Sequence, residues 1–170
     1  MMDTQGQALG VTGKYTTGGV PHGYTTLTPF LVVREPAAAI AFYEGVFGAK
    51  AKNVTTVDTE AGPLVIHADL DFGQGYLQLG AANPDYGLVQ PPADGACYSM
   101  GIYVSDVDSF FERAVAQGAT IREAPGTFVS GDRYGSILDP FGVRWSIMTR
   151  IEDLSEQESA RRVEEWSKSL

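Results

Sequence analysis

The sequence predicts an α+β fold built from two copies of a strand-helix-strand-strand-strand (βαβββ) unit. Three pairs of landmarks recur at nearly one offset. Gly48-Ala49 and Gly118-Ala119 each end a helix, 70 residues apart, and Val33 and Val104 each close a leading strand, 71 apart. Phe72-Gly73 and Phe141-Gly142 open the last strands, 69 apart, with Tyr76 matching Trp145. A four-stranded sheet carrying one helix leaves a sheet face uncovered. Two such sheets can bury those faces against each other or wrap around a ligand, so the cleft between them is the expected binding site.

The first unit spans 24–82. Residues 1–23, rich in Gly and Thr without apolar periodicity, read as a flexible arm. Leu27 to Val33 suits a strand, with Thr28, Phe30 and Val32 on one face. Pro36 then stands at a favoured first-turn position, and Ala37 to Phe47 reads as a helix whose buried stripe is Ile40, Tyr43, Val46 and Phe47. Gly48 suits the residue that ends it. Strands follow at about 52–58, 63–70 and 75–80, the middle one holding Val65, His67 and Asp69 on one face. Residues 83–96, with Pro84, Pro91-Pro92 and Asp94-Gly95, are a linker.

The second unit spans 97–150. Tyr98 to Val104 reads as its leading strand. Ser105 or Asp106 caps a helix over Val107 to Gln117, with Phe110, Phe111, Ala114 and Val115 as its apolar face. Short strands are expected at about 119–123, 127–130, 134–138 and 143–149. A last segment, 151–170, is a helix opened by a Ser155/Glu158 capping box and docked through Trp166.

Composition excludes several classes of function. The chain has 170 residues, hydrophobic content of 44% and a formal charge of −9, which is globular and acidic. An acidic surface disfavours nucleic acid and anionic membranes, both of which need basic patches, and favours a neutral or cationic partner. No apolar run approaches the ~20 residues of a spanning helix, and no secretory leader is visible. The expected location is the cytoplasm. The one cysteine, Cys97, cannot form an internal disulfide and reads as a small buried hydrophobe beside Tyr98.

Chemistry-bearing residues are few. His22 falls in the arm and reads as solvated, whereas His67 and Asp69 share a strand face and read as a hydrogen-bonded pair. The alternative is that the pair chelates a divalent ion with a third donor, and His67 is the best general base if there is catalysis. There is no Gly-x-Ser-x-Gly turn and no phosphate-binding loop. Arg133 is expected to pair with Asp132 or Asp139, Asp71 and Asp139 to satisfy turn N–H groups, and Trp145, opposite Ser146, either to pack on the helix side or to stack on a ligand.

The order Thr28-Pro29-Phe30-Leu31-Val32-Val33, Ala39-Ile40-Ala41-Phe42-Tyr43, Val46-Phe47-Gly48-Ala49, Tyr103-Val104-Ser105-Asp106-Val107-Asp108, Gly131-Asp132-Arg133-Tyr134-Gly135 and Asp139-Pro140-Phe141-Gly142 resembles the vicinal-oxygen-chelate superfamily, which includes glyoxalase I, bleomycin-resistance proteins and extradiol dioxygenases. The match runs from about Tyr24 to Trp166 and is most similar to a bacterial glyoxalase-like branch. The resemblance implies a glyoxalase-like cleft, a homodimer, and four metal-ligand positions that hold His or Glu in the metalloenzymes. Here those positions carry Thr28, Gln78, Ser99 and Ser146. Hydroxyls and a carboxamide are weak ligands for Zn²⁺, Ni²⁺ or Fe²⁺. What the resemblance then implies is a metal-free protein without cofactor, related to the bleomycin-resistance branch and antibiotic resistance. It would hold a small organic molecule, cationic by charge complementarity, against Thr28, Gln78, Ser99, Ser146, Tyr76 and Tyr98. The alternative is a lyase, isomerase or dioxygenase with a divalent metal ion displaced to His67 and Asp69.

Overall fold

A computed structural model of the chain describes residues 10–169. The arm expected over 1–23 carries a small hairpin, β1 (Thr16–Thr17) and β2 (Val20–Pro21), turned by Gly18-Gly19 at positive φ. Residues 1–9 lie outside the described residues.

The first unit follows the expected order. It comprises β3 (Phe30–Val32), α1 (Pro36–Phe47), β4 (Lys50–Thr59), β5 (Gly62–Asp71) and β6 (Tyr76–Gly80). The sheet order is β3-β6-β5-β4, with β3 parallel to β6 and the other pairs antiparallel. β3 is shorter than the expected strand. Pro29 has no N–H to donate, and Thr28 lies ahead of the strand with its hydroxyl turned back to the Thr25 carbonyl at 3.0 Å. A 3₁₀ turn (Pro84–Tyr86) interrupts the linker.

The second unit repeats the plan with β7 (Ser99–Tyr103), α2 (Val107–Ala116), β8 (Thr120–Thr127), β9 (Asp132–Leu138) and β10 (Arg144–Arg150), in the order β7-β10-β9-β8. The two short strands expected at 119–123 and 127–130 are one irregular strand, β8, whose register slips around Glu123. Asp106, not Ser105, caps α2, accepting from the Asp108 and Ser109 N–H groups. Val115 is exposed and Val107 takes its expected place in the core.

Helices α1 and α2 lie within one apolar cluster that joins both units. The buried stripe of α1 is Ala39, Phe42, Tyr43 and Val46, at i, i+3, i+4, i+7, with Ile40 and Phe47 of the expected stripe only partly buried beside it. This face meets the second unit as well as its own sheet. Phe42 packs edge-on to Phe141 at 5.7 Å, and Phe47 lies 4.6 Å from Trp145. Trp145 is buried on the helix-packed side, the first of its two expected roles. Its indole N–H, the Tyr43 hydroxyl and the Phe141 and Val143 N–H groups all donate to Asp139, at 2.9, 2.7, 2.9 and 2.9 Å. Gly135 has no room for a side chain, since a Cβ there would lie 2.5 Å from the Phe111 ring of α2.

Three further expectations are corrected. Cys97 is exposed, because it sits in the linker rather than in β7. Arg133 pairs with Asp108 through two hydrogen bonds, at 2.6 and 2.7 Å, while Asp132 is taken by Arg150 at 2.8 Å and Asp139 by the core. Strand register also separates Tyr76 from Trp145. Gln78 pairs with Phe30 as Ser146 pairs with Gly101, so Leu77, buried like Trp145, is its counterpart.

The terminal helix α3 (Glu156–Ser167) is capped by the Ser155 hydroxyl, which accepts from the Glu158 N–H at 3.2 Å. The Glu158 carboxylate does not close the box; it binds Arg161 and Arg162 instead. Trp166 packs edge-on against Phe128 at 5.0 Å. No helix among the described residues is long and apolar enough to cross a membrane.

Two outcomes follow from this packing. Asp139→Ala strands four donors in the core and lowers unfolding free energy by about 3 kcal/mol or more, while Tyr43→Phe costs about 1–2 kcal/mol, both read from urea denaturation. Arg161 and Arg162 hold the Glu158 carboxyl down at about 2, from an ordinary 4.5. A carboxylate depressed in the folded state stabilises above its ordinary value and loses that contribution as pH falls. Trp166 emission therefore shifts to the red as pH drops from 4.5 toward 2, and Glu158→Gln shows part of that shift at neutral pH.

Candidate functional site

Alternation along the strands gives each sheet one apolar face, pressed on the helices, and one polar face. On the first sheet the polar face carries His67 and Asp69 from β5 and Tyr76 and Gln78 from β6. A bulge in β4 holds Asn53 at φ 50° and turns its amide to the same place. The centre is the Asp69 carboxylate, 3% exposed. It accepts from the Tyr24 hydroxyl at 2.5 Å, from the Asn53 and Gln78 amides at 2.9 Å each, and meets His67 Nε2 at 3.3 Å. Burial pushes its carboxyl up, but these donors, Tyr24 foremost, outweigh burial and hold it below the usual carboxylate range. Tyr24 is pushed the other way, chiefly by its bond to Asp69, so the shared proton stays on the phenol.

The second sheet carries a related arrangement. The slip in β8 brings Glu123, 70 residues after Asn53, to a point where Tyr134, Ser136 and Arg144 all donate to it at 2.5–2.6 Å. Beside it, Ser99 and Ser146 hydrogen-bond each other at 2.7 Å.

Two grooves of about 290 Å³ each lie along the seam between the units. One is walled by Phe72, Tyr76 and Leu77 on one side and Met100, Ile102, Tyr103 and Trp145 on the other. The second lies where the linker passes over β3, between Phe30, Val32, Pro91, Cys97 and Tyr98.

The sequence-predicted residues are thus distributed over several places. Tyr76 lines the first groove and Tyr98 the second. Gln78 belongs to the Asp69 cluster, Ser99 and Ser146 form their own pair, and Thr28 is bonded to the loop before β3. Among the described residues no hydrogen bond joins Gln78 or Thr28 to the serine pair. Asn53, Glu123 and Tyr24 were not visible as site residues. The first two depend on bulges, which no alternation pattern encodes, and Tyr24 lies in the loop before β3, outside the sheet.

A transition metal does not suit these donors. The register fixes Gln78 and Ser146 as equivalent positions, and with Thr28 and Ser99 they offer only neutral groups already engaged within the chain. At the displaced position, His67 turns Nε2 to Asp69, whose oxygens already accept from three other side chains. No group of three or more His, Cys, Asp or Glu side chains gathers among the described residues.

Comparison with known proteins agrees with this architecture. An uncharacterized protein of Mycobacterium bovis is 33% identical over 138 residues, 78% of this chain and 88% of that one. The crystal structure of TioX from Micromonospora sp. ML1 superposes with a TM-score of 0.56 at 25% identity, covering 77% of this chain and 100% of TioX. The fosfomycin resistance protein FosX of Listeria monocytogenes, solved with Mn(II) and sulfate, shares the fold with a TM-score of 0.59 at 11% identity, covering 82% and 97%. Residues 23–147 match the family model of the glyoxalase/bleomycin resistance protein/dioxygenase superfamily, and the chain belongs to that superfamily.

Proposed function

We propose that this chain binds a small organic molecule without a metal ion and without a chemical step, as a sequestering protein of the bleomycin-resistance kind. The observation that carries the reading is the donor set. The positions that would grip a cation hold Thr28, Gln78, Ser99 and Ser146, each already bonded within the chain. Without a Lewis acid, enediolate or oxygen chemistry lacks its main stabiliser. The aromatic and apolar walls of the seam groove, with Tyr76, Tyr103 and Trp145, support a ligand with flat or apolar parts. The charge of −9 favours a cationic one through general attraction. The reading includes a cytoplasmic homodimer, in which the exposed Cys97 thiol stays reduced.

A second reading, a metal-dependent lyase, isomerase or dioxygenase centred on His67 and Asp69, draws on their 3.3 Å approach. Two measurements separate the readings. Purified protein is expected to carry Zn, Ni, Mn and Fe far below one per chain, and a library of cationic aromatic drugs is expected to contain compounds that raise its Tm. Tyr103→Ala, at a largely exposed side chain, is expected to reduce that shift with little change in the ligand-free Tm. Stoichiometric metal, lost in His67→Ala, would overturn the proposal in favour of the second reading.

A further inference from the structure

The Asp69 carboxylate meets four side-chain partners. Donors from three strands, Asn53 of β4, His67 of β5 and Gln78 of β6, converge on one nearly buried carboxylate. The remaining donor comes from outside the sheet. Tyr24 lies between the arm hairpin and β3, its ring stacked on Tyr76 with centroids 4.4 Å apart and planes 21° apart. Its hydroxyl donates to Asp69 Oδ2 at 2.5 Å and accepts from the Asn53 amide at 3.3 Å.

The backbone around Tyr24 is tied to itself rather than to the sheet. The Tyr24 N–H goes to the Pro21 carbonyl, the Thr25 hydroxyl to the Leu27 carbonyl, and the Thr28 hydroxyl to the Thr25 carbonyl. Among the described residues, no backbone hydrogen bond joins 24–28 to the sheet; the first is at Pro29, whose carbonyl accepts from the Gln78 N–H. The phenol can therefore leave Asp69 and Tyr76 without breaking a strand ladder.

We propose that the Tyr24 phenol occupies, from within the chain, a site for an aromatic hydroxyl, and that a hydroxyaromatic ligand enters by displacing it. The inference rests on the small-molecule reading above and names the ligand class. Tyr76 supplies the stacking face, the Asp69 carboxylate accepts the hydroxyl's hydrogen bond, and the Asn53 amide donates to the hydroxyl oxygen. A plain hydrocarbon ring would leave the carboxylate short of a donor, which is where discrimination arises. A phenol tethered on a short segment competes at millimolar effective concentration, so the native chain binds such ligands below their intrinsic affinity.

The test is titration of wild-type protein, Tyr24→Ala and Tyr24→Phe with p-cresol and, as the ring without hydroxyl, toluene, following the side-chain amide NMR signals of Asn53 and Gln78. Tyr24→Ala is expected to bind p-cresol at least about tenfold more tightly than wild type, to shift both amide signals on binding, and to prefer p-cresol to toluene. Tyr24→Phe, which keeps the stack and lacks the hydroxyl, should fall between wild type and Tyr24→Ala. Equal p-cresol affinity in wild type and Tyr24→Ala, or equal affinity for the two probes, overturns the assignment. That result is independent of the drug-library shift, which reads wild-type protein alone, so either can fail without the other.

Discussion

The Asp139 carboxylate is the constraint on which the joined units depend. It is 3% exposed and receives four hydrogen bonds. Two come from backbone N–H groups of its own turn, one from Trp145 in the same unit, and one from Tyr43 on the helix of the other unit. Burial pushes its carboxyl up, and the four donors oppose that. An acid in this position is costly unless every lone pair is used, so the turn, the indole and the phenol must all be in place together. The Tyr43 bond adds a buried polar link between two units that the packing of Phe42 on Phe141 and of Phe47 on Trp145 already joins in one core.

With the helices held in the shared core, the opposite faces of the sheets are left to polar residues. Both faces solve the same difficulty: a carboxylate set among strands needs donors, and plain alternation does not bring enough of them together. A bulge in β4 and a register slip in β8 supply them, turning Asn53 toward Asp69 and Glu123 toward Tyr134, Ser136 and Arg144. The outcome differs by sheet. Glu123 is neutralised by Arg144, whereas among the described residues no Lys or Arg side chain pairs with Asp69. The first face therefore keeps a negative point, and the neighbouring Asp71 is already bound by Lys52.

The superfamily is associated with metal-centred chemistry, and the fold of this chain is compatible with it. The neutral donors at Thr28, Gln78, Ser99 and Ser146 do not suit a transition metal. Thr28 lies before the strand expected to carry it and is bonded to its own loop, and the two serines satisfy each other. Fold and function separate at this point: the frame is inherited, and the groups lining it decide what it can hold.

Much of the frame was legible from the chain alone. The repeat of Gly48-Ala49 at Gly118-Ala119, the proline opening α1, and alternation through β5 and β6 identify two βαβββ units, because helix stops and strand period are local properties of backbone and side chain. The pairing of His67 with Asp69 is local in the same way, two residues apart on one strand. Arg133 choosing Asp108, Cys97 turning to solvent, Leu77 rather than Tyr76 matching Trp145, and Tyr24 reaching Asp69 across 45 positions were decided only in three dimensions. Each of these depends on register, bulges or the meeting of segments far apart in sequence. Those are settled by packing many side chains at once, and no short stretch of residues encodes them.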